Sequence, residues 1–231
     1  MALNIVRTID DLVPVKNIIV SVYDKSGVDV LVKGMLEIIP QAKIFATGNT
    51  YNFLREVLMD KAKTNLISIA SYTGQPEMQG GLVKTLDFKL YLGLLSETYN
   101  QAHQDDLNRV QGVAFDMLVS NVYPFQEAIK GENVTPEVAR SYIDIGGPCM
   151  IRAAAKNFLR VAAVTEQRDY PMILTELEQN KGKISLSLRY ELAKKAFLHI
   201  AQYDTAISEY LINLEFSAAA ACYTIAKTKE E

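Results

Sequence analysis

The sequence predicts an α/β fold, a three-layer arrangement of a mostly parallel sheet of about five strands with helices on both faces and a helical carboxyl-terminal segment. Three observations carry that prediction. Short β-branched apolar runs alternate with segments whose apolar residues recur at helical spacing. Glycine, proline and hydroxyl residues gather where the apolar runs end. The stretch from 186 to 214 keeps a helical period and contains no strand pattern.

Taken in order, "NIIVSVYD" (17–24) reads as a strand, and "KSGVDVLVKGMLEII" follows with Val28, Leu31, Val32 and Leu36 on one helical face. "KIFATGNT" (43–50) repeats the pattern of strand and glycine-bearing turn, and "TYNFLREVLMD" supplies the next amphipathic helix. Further strands are expected at 65–72, 115–125 and 160–166, with helices between them. The terminal pattern "LRYELAKKAFLHIAQYDTAISEYLI" should form one or two helices. There is no internal repeat and no linker, so one domain over 1–231 is expected, with 1–16 as an amino-terminal extension and 215–231 as a tail, both loosely attached.

Composition narrows the function. Lys and Arg number 24 against 27 for Asp and Glu, a net charge of −3 that offers nucleic acid no general attraction. Only two cysteines, Cys149 and Cys222, and two histidines, His103 and His199, are present, too few for a disulfide framework, a metal centre or a Ser-His-Asp triad. No apolar run reaches membrane-spanning length and no leader pattern opens the chain, so a cytoplasmic protein without membrane or nucleic-acid partners is expected. Chemistry, if present, falls to Lys, Asp, Tyr and backbone amides.

Open α/β sheets bind ligands at the carboxyl ends of their strands, and several polar stretches fall there. In "ATGNT", Thr47, Gly48, Asn49 and Thr50 lie between a strand and a helix, where free amides and hydroxyls suit a phosphate, although a helix cap uses the same residues. Lys25 adds a cation after a different strand, or is simply solvated. No nucleoside-triphosphate loop and no G-x-G-x-x-G follows the first strand, so a monophosphate fits better. Lys84 and Thr85 interrupt an apolar run, where the lysine is either functional or snorkels to water. "IDIGGP" sets Asp144, Gly146 and Gly147 at a helix entrance, and Asp144 either holds a ligand or caps that helix; Tyr123-Pro124 either serves the site or ends a strand.

Together, "SVYDKSG", "ATGNT", "YTGQPEMQGGLVKTL", "NVYPF", "IDIGGPCMIRAAAKN" and "KAFLHIAQYDTAIS" resemble, in this order, the inosine-monophosphate cyclohydrolase domain of the bifunctional purine-biosynthesis enzymes. The resemblance implies a fold similar to that of methylglyoxal synthase. It implies ring closure of 5-formamidoimidazole-4-carboxamide ribonucleotide with loss of water, without cofactor or metal, in a homodimer. It places Lys84, Tyr123, Asp144 and Lys156 at the catalytic positions. Ser21, Lys25, Thr47, Gly48, Asn49 and Thr50 become the phosphate site, and Thr85, Leu86, Asn121, Ile145, Gly146 and Gly147 line the rest of the nucleotide.

The pattern also departs from the family. Tyr23 stands where a small hydroxyl residue is usual, Asn49 replaces a glycine, Leu82 an arginine, and Asp87-Phe88 a His-Pro pair. Leu82 removes a bidentate cation that leucine cannot mimic. A nucleotide-binding regulatory protein of the same fold with weak or no turnover is the alternative expectation; methylglyoxal synthase itself accounts for "ATGNT" and not for the later stretches. The formyl-transferase domain of the bifunctional relatives is expected to be absent.

Overall fold

The computed structural model describes residues 4–75, 85–131 and 134–226. The chain opens with β1 (Leu12–Pro14), β2 (Asn17–Val22), α1 (Val28–Ile38), β3 (Lys43–Ala46), α2 (Gly48–Leu58), α3 (Ala62–Asn65), β4 (Leu66–Ser68) and α4 (Ile69–Thr73). It continues through α5 (Phe88–Leu95), α6 (Gln101–Arg109), β5 (Met117–Asn121), α7 (Phe125–Ala128), α8 (Pro136–Ser141) and α9 (Gly146–Lys156). Last come β6 (Ala162–Val164), α10 (Tyr170–Gln179), β7 (Lys183–Ser185), α11 (Leu186–Asn213) and α12 (Phe216–Ala220).

Five strands form one parallel sheet in the order β4-β3-β2-β5-β6. The chain starts at the centre with β2, winds outward through β3 and β4, then returns to build β5 and β6 on the other side. The reversal lies between β2 and β5, where an open sheet leaves a crevice at its carboxyl edge.

Both faces of the sheet are covered, which explains why "NIIVSV" reads as a continuous apolar run rather than an alternating one. Ile18, Val20, Met117, Val119 and Val164 pack beneath α1, α2 and α10. Ile19, Leu118 and Ala163 face the other way, toward α5, α9 and α11. Val28, Leu31, Val32, Met35 and Leu36 of α1 are all buried, as the helical spacing predicts. Each such side chain contributes about 1.5–3 kcal/mol by leaving water.

Two details differ from the sequence reading. The third strand is shorter, because after Ser68 the chain turns into α4, which Gly74 ends at φ +73°. The carboxyl-terminal segment meets its expectation as a single helix of 28 residues, Leu186–Asn213. The segment 10–16 is firmly held: β1 pairs antiparallel with β7, and Leu186 donates to the Asp11 carbonyl at 2.7 Å.

The side chain of Arg189 secures that corner. It is completely buried and donates to the carbonyls of Asp10, Asp11, Phe158, Leu159 and Ile184 at 2.6–3.1 Å. Burial without a carboxylate contact lowers its pKa to about 10. The end of the chain is less embedded: Phe216 is exposed, although Tyr223 bonds Glu137 on α8.

Candidate active site

At the β2–β5 reversal, Val22 stands in register with Asn121. The Asn121 Oδ1 accepts from the amides of Tyr23 at 2.8 Å and Asp24 at 3.0 Å, and its Nδ2 donates to the Asp24 carbonyl at 3.0 Å. One predicted ligand-binding residue is thus also the stitch between two loops. Lys25 follows on the first of them, half-buried, with Nζ donating to the Tyr23 carbonyl at 3.3 Å. Asp24 is engaged locally: hydrogen bonds from the Ser26 hydroxyl and amide hold its carboxyl below the usual range.

Next to this crevice lies the entrance to α2. Thr47 is extended, Gly48 takes φ +20°, and the helix closes its first bond from Tyr51 N to Thr47 O at 2.8 Å. Among the described residues the amides of Gly48, Asn49 and Thr50 have no acceptor. Three free amides on the positive end of a helix form an anion cradle. Ser21 Oγ and Thr47 Oγ1 are 3.0 Å apart on its β2 side. At Thr50 the buried hydroxyl donates inward to the Val22 carbonyl at 3.1 Å, so only its amide is left for a ligand.

The third part is the entrance to α9. Asp144 Oδ1 accepts from the Gly147 amide at 3.3 Å, so the carboxylate caps the helix with one oxygen while Oδ2 accepts no bond among the described residues. The glycines have a specific reason. A Cβ on Gly147 would stand 2.4 Å from Asp144 Oδ2, and one on Gly146 would stand 2.2 Å from Thr85 Oγ1. Glycine therefore makes room for the protein's own carboxylate and hydroxyl. Leu86 and Ile145 flank this cluster as exposed apolar residues. Val122 lies against Gly147, which joins the cluster to the β5 loop carrying Tyr123.

Lys156 is not brought there. α9 runs unbroken from Gly146 to Lys156, and at 1.5 Å per residue its last turn is about 15 Å from its first. Asn157 marks that far end by donating to the carbonyls of Leu94 and Ser96 at 2.8 and 3.0 Å, beyond the end of α5 remote from Thr85. Lys156, put at a catalytic position by the resemblance, thus lies about three turns from Asp144 within its own chain, because "CMIRAAAK" contains nothing that breaks a helix. Lys84, and the departure at Leu82, lie outside the described residues.

A cavity of about 750 Å³ opens at the β2–β5–β6 edge, lined among others by Lys25, Asn121, Tyr123, Thr165, Glu166 and His199. Burial pushes the Tyr123 phenol up and the His199 imidazole down. In its floor Thr165 Oγ1 and His199 Nε2, with nearby Ser120 Oγ, are buried without a partner among the described residues. Buried polar atoms of that kind need water or a ligand. Another cavity, about 490 Å³, lies by Asn4–Ile9 and α6, at the opposite edge of the sheet and away from every predicted site residue except the neighbourhood of Lys156.

One supporting residue escapes sequence reasoning altogether. The Tyr203 hydroxyl on α11 accepts from the Asp144 amide at 2.8 Å and so fixes the backbone that presents the Asp144 carboxylate. A tyrosine at helical spacing reads as core, and nothing local distinguishes it. Among the described residues no group of three or more His, Cys, Asp or Glu could hold a metal ion, and no helix is long and apolar enough to cross a membrane.

Fold and site together define an open parallel α/β domain with a polar site at its carboxyl edge. Comparison with known proteins narrows the class. The family model of the AICARFT/IMPCHase bienzyme matches residues 154–231. The bifunctional purine biosynthesis protein PurH of Thermoanaerobacter sp. (strain X514) is 41% identical over 204 residues, covering 87% of this chain and 39% of that protein. PurH of Bacillus thuringiensis subsp. konkukian (strain 97-27) is 40% identical over 196 residues, covering 85% and 37%. The crystal structure of ForH superposes with a TM-score of 0.71 at 29% identity, covering 84% of this chain and 98% of that one. The chain fits the inosine-monophosphate cyclohydrolase domain of the bienzyme family, and spans less than two fifths of the length of these curated relatives.

Proposed function

We propose that this chain is an inosine-monophosphate cyclohydrolase, closing the ring of 5-formamidoimidazole-4-carboxamide ribonucleotide with loss of water. The observation that carries the reading is the free Oδ2 of Asp144, held beside Thr85 and two glycines and within one sheet edge of the α2 amide cradle. The substrate's phosphate lies on the amides of Gly48, Asn49 and Thr50 beside Lys25. Its base reaches the turn of Ile145, Gly146 and Gly147, with Thr85 and Leu86 opposite.

In the reaction the carboxamide nitrogen bonds to the formyl carbon, giving a hydroxyl-bearing ring that then loses water. Asp144 accepts the hydrogen bond from the attacking N–H and increases its nucleophilicity, while Tyr123 orients the formyl group or relays the proton that leaves with the hydroxyl. Lys84, adjacent to Thr85 in sequence, stabilises the charge that develops on the formyl oxygen. Holding both reacting groups of one molecule in contact supplies much of the acceleration.

Lys156 enters this reading only through a second copy of the chain, since its own α9 carries it away from Asp144. A homodimer, a single domain and a cytoplasmic setting complete the proposal. Asp144→Asn should lower kcat by about 10²-fold or more while nucleotide binding survives; full turnover in the folded variant overturns the role. Mixed Asp144→Ala and Lys156→Ala chains should regain activity absent from either alone, and no recovery removes Lys156 from the site.

A further inference from the structure

Tyr123 does not stand alone at the crevice. Its ring centroid lies 4.3 Å from that of Tyr23 in an edge-to-face arrangement at 69°, and 5.3 Å from that of Tyr142, stacked at 25°. The three rings come from three loops. Tyr23 follows β2, Tyr123 follows β5, and Tyr142 ends α8 two residues before Asp144. Each loop is independently anchored. Asn121 ties the first two together through Tyr23 and Asp24. The Tyr203 hydroxyl joins the third by accepting from the Asp144 amide at 2.8 Å and approaching the Tyr142 carbonyl at 3.5 Å.

Ordinary core packing does not account for Tyr23 and Tyr142, which remain 58% and 42% exposed. Both rings keep a large share of their surface in water, so burial alone does not explain their placement. What they do affect is Tyr123: with an edge against it and a ring stacked on it, its side chain cannot change rotamer without losing an aromatic contact. We propose that Tyr23 is a positioning residue which, with Tyr142, clamps the Tyr123 ring and holds its hydroxyl at the reacting end of the pocket. The clamp couples the Tyr123 loop to the segment carrying Asp144, so the two groups that handle protons in the proposed reaction keep a fixed separation. Both tyrosine neighbours also add to burial in raising the Tyr123 phenol.

The inference rests on the cyclohydrolase reading, and its test separates the two. Tyr23→Leu removes the ring and should reduce kcat about threefold to tenfold, the size of one aromatic pair at 1.4 kcal/mol per tenfold, with KM within about twofold. Tyr23→Phe keeps the ring and should keep kcat. Equal kcat in wild type and Tyr23→Leu overturns the clamp, as does a Tyr23→Phe variant that falls as far as Tyr23→Leu. Wild-type protein that makes no product defeats the cyclohydrolase reading instead. In that event NMR of ring-labelled tyrosine, with Tyr123 assigned through Tyr123→Phe, still decides the clamp. Tyr23→Leu should shift the Tyr123 resonance and let its phenol ionise at lower pH; an unmoved signal and titration refute it.

Discussion

Gly147→Ala separates activity from stability at the candidate site. The backbone at Gly147 is not left-handed, so alanine is sterically acceptable to the main chain. Within a helix the change is favourable by up to about 1 kcal/mol. Against that, the new Cβ would stand 2.4 Å from Asp144 Oδ2 and 3.3 Å from Val122 Cγ1, where ordinary contact begins near 3.4 Å. The valine has to yield only slightly. The carboxylate must retreat by about 1 Å, and a displacement of that size at a reacting group costs about 10²-fold in rate, or about 2.7 kcal/mol of transition-state stabilisation. Folding stability should therefore change by less than about 1 kcal/mol, measured by urea unfolding, while kcat for ring closure falls about 10²-fold. A stable variant with wild-type kcat would show that the position of Asp144 does not matter to the chemistry.

Two other substitutions probe the frame and the cavity. Arg189→Met should cost about 3–5 kcal/mol, because five carbonyls, wholly or partly buried, lose a charged donor; a loss below about 1 kcal/mol in urea unfolding would contradict its keystone role. His199 is held neutral by burial, with Glu166 opposing, so its folded pKa lies below the unfolded value of about 6.5. The unfolded chain then binds the extra proton, and stability falls as pH drops from about 6.5 toward the folded pKa. His199→Gln should flatten that slope in thermal melts between neutral and mildly acid pH, and an unchanged slope refutes it.

Much of this fold was legible because strand and helix periods differ and both recur along the chain. "NIIVSV" and "FDMLVSN" announced buried strands, and Val28 to Leu36 announced the covering helix face. The β1–β7 ribbon was not legible, since "LVP" and "KIS" stand outside the apolar runs of the main sheet and their pairing across the chain is held by Arg189. At the site, the free amides of 48–50 followed from residue type and spacing, whereas the room that Gly146 and Gly147 leave for Thr85 and Asp144 did not, because it depends on side chains brought in by the fold. The inward turn of the Thr50 hydroxyl did not, because it depends on Val22 in another strand. Tyr203 and the ring contacts of Tyr23 and Tyr142 likewise depend on tertiary placement. Lys156 shows the limit of a motif, which keeps residues close in sequence while an unbroken helix of 11 residues sets its ends apart.

The most direct measurement combines the purified chain with 5-formamidoimidazole-4-carboxamide ribonucleotide and follows ultraviolet absorbance for inosine monophosphate. The account predicts saturable, enzyme-proportional product formation without added metal or cofactor. Tight binding of the ribonucleotide with no product above the uncatalysed rate would contradict it and leave a binding protein of the same fold.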